Sequence, residues 1–319
     1  MNKLNVTLAI LVSAVMAGNT QTVTSDIVGY QKINLPAGGK AIAPPFIKSN
    51  VFRGSATISG STVTVSTGAL SGLSLGPTAF SNRANYPRYY AEVSDANSPF
   101  YGYNFDITGA NTSSTFTSAN IPVGLSGAMN IAIRPHVTLA DLNPASLSDG
   151  DSITMANDPT GVQSVFYVFN GGWIGSDFNT AKDFSHVTIP PGFGLVYSGQ
   201  SGADLTLTLV GTVKNTPTAV PVYQNAYANI VAAINPSTSI NYSTQNIATG
   251  IGDGAAFTKY SDDGSFTEQE VYYSSNGGLL NSAFRAVTSA PINGGEAVNV
   301  GALDSDRYWI IPAVVAQGQ

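Results

Sequence analysis

The chain has 319 residues and a formal net charge of −6, and only 10% of its residues are Asp, Glu, Lys or Arg, against about 25% in an ordinary soluble domain. Its 13 Lys and Arg, with an isoelectric point near 4.7, leave no basic surface for a nucleic-acid backbone. The absence of cysteine excludes disulfides, thiolate metal sites and a cysteine nucleophile, so stability has to come from packing.

Residues 1–17 carry one early cation, Lys3, then an apolar run from Leu4 to Met16, with Val15 and Ala17 in the small-residue places of a cleavage site. This pattern predicts a secretory signal peptide and a secreted, extracellular or cell-surface protein. The run is too short to span a bilayer, and no later stretch is long enough; the apolar residues Tyr308-Trp309-Ile310-Ile311 are interrupted by Pro312.

Beyond the signal, alternating β-branched residues predict strands at 56–66 (ATISGSTVTVS), 165–169 (VFYVF) and 205–210 (LTLTLV), while helical periodicity is nearly missing. A four-residue corner recurs at Leu35-Pro36-Ala37-Gly38, Ile121-Pro122-Val123-Gly124 and Ile189-Pro190-Pro191-Gly192, with a degenerate copy at Ile292-Asn293-Gly294-Gly295. Proline sets one dihedral of such a turn and glycine supplies the positive φ that closes it, so the recurrence points to a reused β-unit. Strand restarts recur as well, at Ala41-Ile42-Ala43-Pro44, Asn130-Ile131-Ala132-Ile133 and Asn229-Ile230-Val231-Ala232. The last two copies share Val-aromatic-Tyr followed by Asn-Gly-Gly, at Val165-Phe166-Tyr167 with Asn170-Gly171-Gly172 and at Val271-Tyr272-Tyr273 with Asn276-Gly277-Gly278. Asn-Gly between apolar runs predicts a hairpin tip at both sites.

The expected fold is all-β, with tandem β-sandwich modules of immunoglobulin-like or jelly-roll-like type and little or no helix after the signal peptide. The expected modules are residues 18–125, 126–215 and 216–319, with Lys214-Asn215-Thr216-Pro217-Thr218 as the clearest linker and one duplicated barrel as the alternative.

Gly72-Leu73-Ser74-Leu75-Gly76 has the spacing of a nucleophile elbow but lies in a Gly/Ser/Thr-rich stretch without a helix signal, and neither His136 nor His186 has metal-ligand spacing. No catalytic residue is assigned, and the chain is not expected to be an enzyme. Acidic turns such as Asp149-Gly150-Asp151, Asp253-Gly254 and Asp262-Asp263-Gly264 are oxygen-rich, which makes Asp262, Asp263 and Glu268 the candidate calcium ligands; Asp before Gly is also ordinary turn chemistry. No other cofactor is implied. Among the aromatic residues, Trp173 beside a hairpin tip, Tyr272, Tyr273 and Trp309 are the candidate contacts for a ligand or partner.

A signal sequence leading into Tyr30-Gln31-Lys32-Ile33-Asn34-Leu35-Pro36-Ala37-Gly38-Gly39, an apolar-Pro strand restart, and Gly171-Gly172-Trp173 followed by Ile189-Pro190-Pro191-Gly192-Phe193-Gly194 together resemble uncharacterised exported β-rich repeat-module proteins of Gram-negative bacteria. The resemblance implies export and a β-fold, and it carries over no functional residue.

Low charge, a modular array and apolar ends make a secreted structural protein the leading expectation, self-assembling outside the cell into a filament or surface layer by β-strand exchange. Residues 20–35 (TQTVTSDIVGYQKINL) and 309–315 read as lone terminal strands able to pair with an open sheet edge in the next copy. The alternative is a secreted adhesin or glycan-binding protein using exposed aromatic residues. Further copies of the chain, or glycans, are thus the expected partners.

Overall fold

The computed structural model describes residues 28–80, 83–232, 234, 240–241, 250–261, 265, 267–288, 291–292, 295–301 and 303–311. The fold is all-β: among the described residues, helix is confined to two 3₁₀ turns, Leu139–Leu142 and Pro144–Ser146, and the pair 250–251. The first strands are β1 (Val28–Leu35), β2 (Lys40–Ile42), β3 (Phe52–Ser59), β4 (Thr62–Val65), β5 (Thr78–Phe80), β6 (Arg83–Tyr86), β7 (Tyr89–Val93), β8 (Asn104–Asp106), β9 (Thr115–Thr117) and β10 (Gly127–Pro135). Then come β11 (Val137–Thr138), β12 (Ser152–Met155), β13 (Ser164–Phe169), β14 (Gly172–Gly175), β15 (Thr188–Ile189), β16 (Leu195–Ser198) and β17 (Leu205–Thr212). The last are β18 (Thr218–Val222), β19 (Asn229–Ala232), β20 (Ile240–Asn241), β21 (Ala256–Tyr260), β22 (Glu268–Ser275), β23 (Gly278–Asn281), β24 (Ala286–Val287), β25 (Pro291–Ile292), β26 (Ala297–Gly301) and β27 (Arg307–Ile311).

The pairing of these strands reveals a duplication. One sheet has the order β14-β13-β12-β16-β2, and another runs β24-β23-β22-β21-β26-β19, so that apart from β24 each strand of the first has a counterpart at the same place in the second. The accompanying two-stranded ribbons match too, β1·β17 with β18·β27 and β11·β15 with β20·β25. All these pairings are antiparallel. Unit 1 therefore comprises β1, β2 and β11 to β17, and unit 2 begins at β18. Between β2 and β11 the chain builds a third sheet, β8-β7-β10-β3-β4-β9, and the hairpin β5·β6, which together form an insert within unit 1.

The sheets thus divide the chain differently from the expected modules. Residues 28–42 belong with β12 to β17 rather than with the strands that follow them, and β10, expected to open the second module, pairs with β3 and β7 in the insert. The insert has its own apolar core around Ile58, Val63, Phe105, Phe116, Ile131 and Ile133. The two units share a single core that includes Leu35, Trp173, Leu195, Val220, Phe257 and Trp309. Continuity of this kind is what one packed body requires, since each two-, five- or six-stranded sheet alone has an apolar face that must be covered.

The units meet through reciprocal contacts made by the recurring corner. Ala232 N–H donates to Gly192 C=O at 3.0 Å, and Ala43 N–H donates to Gly295 C=O at 3.2 Å. Isolated bridges join Phe193 to Val231 and Ile42 to Glu296 in the same reciprocal sense. Residue i of one unit meets j of the other while j meets i, as in an isologous interface between identical subunits. Small residues permit the approach: Ala41, Ala43, Ala232 and Ala297 form the contact around Ile230, and a Cβ on Gly194 would stand 2.5 Å from Ile230 Cγ2.

A buried ionic cluster fixes the insert to the segment between the units. Lys214 Nζ donates to Glu92 Oε1 at 2.7 Å and to the carbonyls of Thr216 and Pro217, and Thr216 Oγ1 donates to the same carboxylate. Arg134 Nε stands 3.4 Å from Glu92 Oε2, and its guanidinium donates to Lys48 C=O at 3.1 Å. Burial alone pushes Glu92 upward, but the Lys214 and Arg134 charges and the hydrogen bonds from Lys214 and Thr216 outweigh it and hold the carboxyl below its ordinary pKa.

Candidate functional site

The structure separates the residues singled out from sequence. Trp173 is buried at 1% exposure, a correction to its expected role as a surface contact. The tip turn is taken by Asn170 and Gly171, so Trp173 lies opposite Val168, faces the core, and donates from Nε1 to Leu139 C=O at 2.8 Å. Trp309 is also buried, edge-on to Phe257 at 5.7 Å between centroids, and is likewise corrected as a partner contact. Strand alternation splits the tyrosine pair on β22. Tyr272 packs against the core and donates to Glu270 Oε2 at 2.8 Å; burial and that hydrogen bond push its pKa up to about 12. Tyr273 turns outward.

Of the candidate calcium ligands, Asp262 and Asp263 lie outside the described residues, and Glu268 is exposed at the start of β22. The described acidic turns are occupied by the backbone. Asp149 Oδ1 accepts from Asn170 N–H and Asp253 Oδ1 from Asn276 N–H, both at 2.8 Å, while buried Asp151 accepts from Tyr197 Oη, Ser148 N–H and Gln200 N–H. Among the described residues no three His, Asp or Glu side chains converge as a metal site. Ser74 is exposed in a loop and accepts from Arg88 at 3.4 Å, and His136 pairs instead with Asp106 at 2.9 Å.

Two surfaces stand out. The first is the outer face of the β1·β17 ribbon, where alternation sends Ile33, Leu35, Leu207 and Leu209 inward. Outward remain Val28, Tyr30 and Val210, exposed at 65%, 71% and 68%, with Tyr30 directly opposite Val210. Lys32 is the one charged residue on that face of the ribbon. Gly29 and Gly211 lie opposite each other, and Phe46 packs across both where side chains would collide with it. Beside this face opens a recess of about 260 Å³, lined by Val28, Phe46, Ile47, Leu142, Leu209 and Val210. The described parts of both terminal strands are paired within the chain, β1 with β17 and β27 with β18, so neither is the lone strand that was expected.

The second surface occurs twice. In unit 1, Phe178 lies over Tyr167 at 4.8 Å between centroids; in unit 2, Phe284 lies over Tyr273 at 5.5 Å, with the ring planes 16° apart. Phe178 and Phe284 are 62% and 70% exposed. Each closes an equivalent turn, donating its N–H to Gly175 C=O at 3.0 Å and to Asn281 C=O at 2.8 Å, and each has a left-handed backbone, φ 51° and 57°. A bulky residue in that region is uncommon and strained.

Compared with known proteins, the chain matches no family model, no curated protein and no solved structure. Function is therefore read from these surfaces. The two phenylalanines carry a sequence signal beyond the Asn-Gly-Gly tip: Asn170 and Asn276 both open the pattern Asn-Gly-Gly-x-x-x-Ser-x-Phe. What marks them as unusual is the positive φ, which no sequence pattern displays.

Proposed function

We propose that the protein is a structural subunit that acts outside the cell by associating with further copies of itself through the β1·β17 ribbon. The observation that carries this reading is the outer face of that ribbon, where Val28, Tyr30 and Val210 lie largely exposed beside a recess whose lining is apolar except for Ser49, Thr212 and the Lys48–Asp141 ion pair. Low charge favours the same reading, because a face with one lysine loses little hydration when covered.

Three side chains alone fall short of a stable interface, which buries about 1,600 Å² in total. Strand exchange supplies the remainder. Every pair from Val28 opposite Thr212 to Leu35 opposite Leu205 is retained if β1 of one copy lies on β17 of the next. Backbone hydrogen bonds then give affinity, and Ile33 and Leu35 refill the same buried places in the neighbour. An exchange that passes from copy to copy without closing yields a filament or layer. The test is light scattering and negative-stain microscopy of the chain from Gly18 onward, beside Tyr30→Lys/Val210→Lys. The native chain is expected to form polymers or defined oligomers and the variant to be largely monomeric; a monomeric native chain at all concentrations contradicts the proposal.

A further inference from the structure

We propose that Tyr167 with Phe178 and Tyr273 with Phe284 form two equivalent stacking sites for a neutral saccharide, one in each unit. A hydrophobic stack that served only the fold would bury its rings, yet both phenylalanines keep most of their surface in water. Glycine at the same turn position would meet no strain, and both units nevertheless place phenylalanine there while the residues beside it differ, Asp177 and Asn179 in one and Ala283 and Arg285 in the other. Within the turn the common elements are the serine two residues earlier, Ser176 and Ser282, and the displayed ring.

The ligand class follows from the surroundings. An aromatic face attracts the C–H face of a flat pyranose, and nearby amide, carboxylate and guanidinium groups match its hydroxyls. In the Phe284 turn Asn281 Oδ1 accepts from Ala283 N–H and Arg285 N–H, both at 3.0 Å, and Arg285 is exposed. Asp177 precedes Phe178 in the unit 1 turn, where its Oδ1 accepts from Asn179 N–H at 3.3 Å. Asp177 is already paired with Lys182 at 2.6 Å, and the chain is acidic overall, so a neutral sugar suits the sites better than a polyanionic one. Flat faces are presented best by a β-linked hexopyranose chain with equatorial hydroxyls.

The test is isothermal titration of the full chain with cellohexaose and with chitohexaose, independent of any self-association. One of these is expected to bind at two sites per chain; Phe178→Gly and Phe284→Gly are each expected to leave one site, and the double substitution none. Glycine suits the left-handed turn, so these variants are expected to keep the native circular dichroism spectrum. Absence of heat with either oligosaccharide on the native chain, or an unchanged number of sites in the double variant, overturns the proposal.

Discussion

A Cβ on Gly192 would stand 2.2 Å from Val220 Cγ2, on a backbone with φ 84°. Overpacking and the left-handed penalty together set the cost of Gly192→Ala at about 2–4 kcal/mol. Gly60 also has a left-handed backbone, φ 56°, but open space around it, so Gly60→Ala is expected to cost only about 1 kcal/mol. Denaturant unfolding of the two variants checks this; equal losses would show that Gly192 serves only its turn and not the contact between units. At the buried cluster, Lys214→Met leaves the Glu92 carboxylate without its main partner and is expected to cost about 3–5 kcal/mol. In the acid range Glu92 is the buried group that sets the pH dependence, while exposed Asp177 and Asp304 are also held low by hydrogen bonds from Lys182 and Arg307. The folded pKa of Glu92 lies below the ordinary 4.5, so its contribution is complete above that value and is lost as pH falls through the folded one. Melting temperature is therefore expected to fall on acidification below about pH 4.5, and less steeply in Glu92→Gln. Residue by residue, apolar alternation was readable, but the fate of Trp173 was not. Its orientation depends on whether the tip turn consumes Asn170-Gly171 or Gly171-Gly172, and a shift of one residue reverses the face.

At the scale of elements, the hairpins were legible because Asn-Gly has a direct conformational consequence. Asn170 and Gly171 have φ 50° and 72°, and Asn276 and Gly277 have φ 48° and 80°, the two left-handed residues of a type I′ turn. The carboxylates that brace these tips were not legible, since Asp149 and Asp253 reach them from a preceding turn and were read only as members of oxygen-rich acidic turns. Asp149→Ala and Asp253→Ala are each expected to cost about 0.5–1.5 kcal/mol, and about the sum when combined, because each serves its own hairpin. Equilibrium unfolding of the single and double variants checks both size and additivity. The terminal strands illustrate the limit of local pattern. Alternation identified β1 as a strand, but its partner β17 follows only after the whole insert and most of unit 1, a distance at which spacing in the sequence carries no pairing information.

For the whole molecule, the all-β class and the presence of internal repetition were both present in composition and corner motifs. The boundaries were hidden by the insert, which divides unit 1 after β2 and places its own strand β10, with a similar restart pattern, ahead of β11. The recurring corners at Ile189 to Gly192 and Ile292 to Gly295 have a physical role that spacing alone did not suggest, because their last carbonyls accept the hydrogen bonds that join one unit to the other. A chain built by joining two reciprocal units already satisfies its internal interface, and the proposed association with another copy rests on the exposed Val28, Tyr30 and Val210 of the β1·β17 ribbon. The most direct measurement of that claim exploits the absence of cysteine. Chains carrying only Tyr30→Cys and chains carrying only Val210→Cys, at positions opposite each other in the ribbon, are mixed, refolded together and oxidised. Exchange of β1 between copies predicts disulfide-linked heterodimers in preference to either homodimer. Disulfide closure within a Tyr30→Cys/Val210→Cys chain, with the mixture of single variants left unlinked, would contradict it.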